Sequence, residues 1–128
     1  IMKILGIGDN IIKKSRIKKL IKNKSFINRN FGKKEIVFSK KKFNKINFFA
    51  KRFAAKESFA KSLGTGFRNN LNFKDIEILN DKMGKPYFIK SKKINVIIKK
   101  KFKIQKYDLF LSISDEKDYS VAFTILQT

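Results

Sequence analysis

The chain has no cysteine and no histidine in 128 residues. Without cysteine it has no disulfide, no thiol chemistry and no cysteine zinc site. Without histidine, imidazole ligation of a metal is excluded too. Any metal bound here takes oxygen ligands and is hard, like Mg²⁺ or Ca²⁺. No apolar run approaches the ~18 residues of a membrane span. The first residues carry no signal-peptide apolar region. A cytoplasmic protein with no stable membrane insertion is therefore expected. Acids are also scarce: 10 Asp and Glu stand against 32 Lys and Arg, for a formal net charge of +22.

What is present suits one domain, spanning 1–128. Hydrophobic residues make up 42% of the chain and include 14 Phe, enough for a real core. All but four of the basic residues are Lys, the exceptions being Arg16, Arg29, Arg52 and Arg68. Lys, Ile, Asn and Phe are over-used together, a pattern of AT-rich coding that raises Lys with no binding role. The summed field is real either way. It favours an acidic partner: nucleic acid, an anionic membrane, a phosphate-rich cofactor or an acidic protein. A pI near 10.3 is the usual footprint of nucleic-acid binding. Against that reading, Lys is spread throughout and no aromatic-basic motif occurs. The Phe residues fall on core-like periods rather than at stacking positions.

Residues 2–8 (MKILGIG) read as a short strand. Residues 11–22 carry Ile17, Leu20 and Ile21 at helical spacing, with Lys and Arg on the other face. Residues 25–32 dock as a loop or short helix. A long helix is expected over 39–63, capped by Ser39, with Phe43, Ile46, Ala50, Phe53, Glu57, Ala60 and Gly64 on one face. Residues 75–79 and 86–89 pair across the turn 81–84. Residues 91–101 fit a helix by spacing and a strand by β-branched content. Residues 108–114 and 119–126 form a hairpin. The expected fold is α+β, one long helix packed on an antiparallel sheet.

Glu57 stands on the apolar stripe, where a lone carboxylate is costly unless paired or metal-bound. The plain alternative is an exposed Glu57–Lys61 pair at i,i+4. Gly64-Thr65-Gly66 is either a helix cap or a loop whose N–H groups cradle a phosphate. A second oxygen ligand for Glu57 could come from Asp9 or Asn10, at the end of the first strand.

Four blocks in order, GIGDNIIKKSRI (6–17), RFAAKESFAKSLGTG (52–66), DIEILNDKMGKPYF (75–88) and SISDEKDYSVAF (112–123), resemble the holo-acyl-carrier-protein synthases. The resemblance covers essentially the whole chain. It implies the 4′-phosphopantetheinyl transferase-like fold. It also implies transfer of 4′-phosphopantetheine from coenzyme A to a serine of apo-acyl carrier protein, releasing 3′,5′-ADP, in support of fatty acid biosynthesis. Mg²⁺ is the implied cofactor and a homotrimer, with the coenzyme in a cleft between subunits, the implied assembly. Glu57 then matches a metal-ligand Glu, and Lys61 the Lys that reaches the transferred phosphate. Gly64, Thr65 and Gly66 match the loop that approaches the coenzyme, and Arg52 an Arg near its nucleotide. Arg16 matches an Arg of the carrier-docking helix; Lys18, Lys19 and Lys22 match that surface in charge alone. Such carriers are strongly acidic, so complementary fields would speed association and make it salt-sensitive.

Two positions depart from the family pattern. It reads Gly-x-Gly-x-Asp, with the Asp as second metal ligand; here Asn10 holds that position and Asp9 precedes it. Neighbours on a strand face opposite ways, so Asp9 can substitute only if the backbone bends at Gly8. Asn10 otherwise offers a neutral oxygen and a weaker site. The family's Ser-His-Glu is Ser114-Asp115-Glu116, which places Asp115 by the coenzyme phosphates or, alternatively, lends the metal charge that Asn10 lacks. An active enzyme is the reading favoured by Glu57, Lys61 and the glycine loop, over a weakened carrier-binding relative.

Overall fold

The computed structural model describes residues 2–64 and 71–128. Strand β1 (Ile4–Lys13) runs five residues beyond the expected end at residue 8. Ile11 and Ile12 stay in the ladder, opposite Val121 and Ser120, because β-branched residues suit a pleated surface. Helix α1 (Lys14–Leu20) starts only after them and is anchored by fully buried Ile17. Residues 24–30 form a true helix, α2 (Lys24–Asn30), capped by the Asn23 side chain on the Ser25 N–H at 2.9 Å.

The expected helix over 39–63 is two helices. Ser39 ends α3 (Lys33–Ser39) rather than capping the long helix. α4 (Lys45–Ser62) begins after Asn44, whose side chain accepts from the Asn47 N–H at 3.0 Å. Three consecutive lysines, 40–42, have no acid to offset them at the break. Lys45 pins the turn by donating to the carbonyls of Ser39 (2.7 Å) and Lys42 (3.3 Å).

A short 3₁₀ turn (Phe73–Asp75) precedes β2 (Ile78–Asn80) and β3 (Pro86–Phe88). That turn shortens the expected 75–79 strand. Asp81 closes the ribbon by accepting from the Met83 and Lys85 N–H groups, each at 2.9 Å. The ambiguous stretch is helix α5 (Lys92–Phe102): Ser91 caps the Ile94 N–H at 3.2 Å, and Ile94 and Ile98 are buried. The hairpin β4 (Asp108–Asp115) and β5 (Tyr119–Gln127) completes an antiparallel sheet ordered β1-β5-β4. β2-β3 is a separate ribbon. The fold is the expected α+β arrangement.

α4 lies across β1 and β5. A Cβ on Gly6 would sit 1.8 Å from the Ser62 carbonyl oxygen, and one on Gly8 1.8 Å from that of Ser58. Only glycine lets the two backbones meet this closely. Ser58 Oγ and Thr124 Oγ1, 2.6 Å apart, tie the same turn to β5. Around α4 the phenylalanines pack at their edges, as in Phe31–Phe49 (4.7 Å), Phe48–Phe49 (5.2 Å) and Phe53–Phe73 (5.0 Å).

The fully buried charge on α4 is Lys56, one residue before the acid that the apolar stripe singled out. Lys56 Nζ lies 2.6 Å from Glu35 Oε1, and both side chains are fully buried. Lys56 also donates to the Phe73 carbonyl at 2.9 Å and to that of Ile76. Glu35 accepts from the Gly32 and Ile78 N–H groups at 3.0 and 3.1 Å. Burial pushes the Glu35 carboxyl up and the Lys56 amine down, and their mutual attraction opposes both shifts. This pair fastens α3, α4 and the 73–78 segment to one another.

Candidate active site on the two flanks of α4

Alternation along β1 sorts the opening dipeptide. Gly6, Gly8, Asn10 and Ile12 face α4, whereas Ile7, Asp9 and Ile11 face outward. The ladder is regular from Gly6 to Lys13, and its one irregularity lies between Ile4 and Gly6. The backbone therefore does not bend at Gly8, and Asp9 stays on the outer face opposite Phe123. Asn10 is half-buried on the inner face, in the cross-strand row Asn10–Ala122–Ile113.

Glu57 is half-buried, and among the described residues it makes no ion pair. The i,i+4 pair with Lys61 does not form. Lys61 instead rounds the free edge of β1 and meets Asp9, with Nζ 3.5 Å from Oδ1; both side chains are largely exposed. Gly6 abuts Ser62 and Gly8 abuts Ser58, so the inner face of β1 climbs α4 toward its N-terminus. Asn10 is the next inward-facing residue along that line, and the Lys61–Asp9 contact puts the Glu57–Lys61 flank of α4 on the β1 side. These donors, one carboxylate and one amide oxygen, fit a hard cation completed by water and substrate oxygens. No cluster of three acids occurs among the described residues.

Arg52 belongs to the other flank. Five residues of helix turn about 140° past one revolution, which separates it from Glu57. Its guanidinium stacks 3.7 Å from the Phe48 ring and donates to Asn80 Oδ1 at 2.6 Å. Arg52 is only 6% exposed, its Nε has no hydrogen-bond partner among the described residues, and desolvation lowers its pKa to about 10 despite Glu35. It opens onto a cavity of about 650 Å³ whose walls include Phe43, Phe48, Lys42, Lys51, Asn80 and Lys82. Asp81, the acid on this wall, is occupied by the turn that it closes. Ile113, at the far end of the Asn10 row, also lines the cavity. Sequence reasoning found Arg52 but missed these other walls; the one signal was the Asn80–Pro86 turn across from it.

Asp115 shares the inner face, one row beyond Asn10, opposite Ser120. Its carboxylate is held by Lys14 Nζ at 2.7 Å and accepts from Ser120 Oγ at 2.9 Å, so its charge is already matched. Gly64 is exposed with φ +79°, a left-handed C-terminal position. Thr65 and Gly66 lie outside the described residues. Arg16, Lys18, Lys19 and Lys22 are all exposed along and just after α1, and none forms an ion pair among the described residues.

A carboxylate and a lysine thus stand on one flank of α4, and an arginine-lysine cavity opens on the other. Residues 6–124 match the 4′-phosphopantetheinyl transferase superfamily, and the chain belongs to it. It is 60% identical over 126 residues to a holo-[acyl-carrier-protein] synthase of Pelagibacter ubique, covering 98% of each chain. It superposes on the holo-[acyl-carrier-protein] synthase of Neisseria meningitidis with a TM-score of 0.86 at 36% identity, over 97% of this chain and 98% of that one. The Bacillus anthracis holo-(acyl-carrier-protein) synthase, solved in complex with CoA (3′,5′-ADP), gives 0.81 at 35% identity, over 100% and 99%.

Proposed function

We propose that this chain transfers 4′-phosphopantetheine from coenzyme A to a serine hydroxyl of apo-acyl carrier protein. The serine oxygen bonds to the β-phosphorus of the diphosphate, the bond to the nucleotide phosphate breaks, 3′,5′-ADP leaves and the serine proton is lost. The observation that carries this reading is Glu57, a half-buried carboxylate without an ion pair among the described residues, one turn from Lys61 on the flank of α4 that meets β1 through Asp9. Glu57 and Asn10 would hold Mg²⁺, which supplies charge neutralisation to the diphosphate when bound. Lys61, tethered among the described residues only by a long exposed contact to Asp9, is available to meet a phosphate. Arg52 and the cavity lysines suit the nucleotide end. The exposed cations of α1 suit an acidic carrier.

The two half-sites lie on opposite flanks of α4, which favours a site completed between subunits. The outer sheet face supports a homotrimer for the same reason. Ile7 (52% exposed), Ile11 (62%), Phe110 (48%) and Phe123 (41%) leave that face apolar and uncovered. A second copy, presenting the same surface, is its occupant.

Incubation with apo-acyl carrier protein, coenzyme A and Mg²⁺ tests the activity. Mass spectrometry should find the carrier heavier by one phosphopantetheine, with Glu57→Gln abolishing the shift. Carrier binding without transfer by the wild type would overturn the reading in favour of a non-catalytic relative.

A further inference from the structure

We infer that Phe43 is the stacking wall for the adenine base of coenzyme A, and so a specificity residue of the Arg52 cavity; this rests on the coenzyme reading above. Phe43 is fully exposed, at 105%, whereas Phe48 and Phe49 are almost wholly buried. Sequence periodicity places Phe43 on the packed face of the long helix. α4 in fact starts at Lys45, so Phe43 precedes the cap and has no helix face to occupy.

An apolar residue just before the cap ordinarily folds onto the fourth helical residue. That residue is Phe48, and Phe43 does not cover it, because the Arg52 guanidinium already lies over the ring at 3.7 Å. Phe43 and Phe48 instead stand on the wall of the same cavity. The turn that carries Phe43 is held in place by Lys45, which grips the Ser39 and Lys42 carbonyls, and by the Asn44 cap. Lys42, Lys51, Lys82 and Arg52 line the same cavity. A flat apolar surface beside clustered cations matches a ligand with a π-face joined to phosphates. Coenzyme A presents both on its 3′-phosphoadenosine end.

The experiment compares wild type, Phe43→Ala and Phe43→Trp as full chains, titrated with 3′,5′-ADP and with ribose 3,5-bisphosphate, which lacks the base. Loss of stacking should weaken 3′,5′-ADP binding by about 5- to 100-fold in Phe43→Ala. Ribose bisphosphate should bind wild type and Phe43→Ala alike, because the cations are unchanged. The chain has no tryptophan, so Phe43→Trp introduces the sole indole, whose fluorescence should be quenched as 3′,5′-ADP saturates. Equal 3′,5′-ADP affinity in wild type and Phe43→Ala, or unchanged indole emission from Phe43→Trp at saturation, overturns the assignment while leaving the coenzyme reading intact. No binding of 3′,5′-ADP by the wild type overturns both.

Discussion

Replacing Lys56 with Met removes one half of the Glu35–Lys56 pair and leaves the other half sealed in the core. Both side chains are fully buried and 2.6 Å apart. Glu35 would keep the Gly32 and Ile78 N–H groups but lose its counter-charge, and the Ile76 carbonyl would lose its donor. Breaking a buried pair on one side costs about 3–5 kcal/mol, a large part of the roughly 5–15 kcal/mol that typically holds a domain together. Urea unfolding followed by circular dichroism measures the loss. The double variant E35M/K56M should recover much of it, because no buried charge is then unmatched. Glu35 is already pushed above 4.5 by burial, and removing Lys56 pushes it further. A carboxyl raised in the folded state makes folding most favourable below its unfolded pKa, and that advantage fades as pH rises through the folded value. The K56M deficit should therefore be smallest near the ordinary carboxyl pKa of about 4 and grow toward neutrality. A cost below about 1 kcal/mol, well under the range for a broken buried pair, or a double variant no more stable than K56M, would refute the argument.

Further outcomes can be read from single substitutions. Gly8→Ala places a Cβ 1.8 Å from the Ser58 oxygen, where real contacts exceed 3.0 Å; thermal melting should show a loss of about 1–3 kcal/mol or more. Asn10→Asp adds a carboxylate on the inner face and should tighten Mg²⁺ on the order of tenfold, read by calorimetry with coenzyme present. Asp9→Asn, on the outer face, should leave that affinity unchanged. Phe110→Glu charges the row Ile7–Ile125–Phe110 and should shift light-scattering mass from that of the proposed trimer to monomer.

The α+β class, the β4–β5 hairpin and the β2–β3 turn were legible because period and turn chemistry are local. The break between α3 and α4 was hidden because Ser39 and Asn44 are both good caps, and the choice between them depends on where Lys45 reaches. Glu57 drew attention by its place on a stripe, yet Lys56 carries the buried charge. Its partner, Glu35, is 21 residues away, beyond any local pattern. The Asp9–Asn10 question could be posed from alternation but needed the ladder to show that Gly8 stays regular. The Arg52 cavity draws walls from α3, α4, β4 and the β2–β3 turn, so only folding assembles it.

Among the described residues β1 is an edge strand, and such an edge is open to recruitment by another extended chain. Lys61 lies across that edge to reach Asp9. The residue proposed to meet the transferred phosphate thus also acts as a guard against edge-to-edge aggregation. Each substitution of Lys61 would change two properties together, chemistry and colloidal behaviour. Lysates of Lys61→Ala should be compared for soluble yield before their lost turnover is ascribed to the reaction alone.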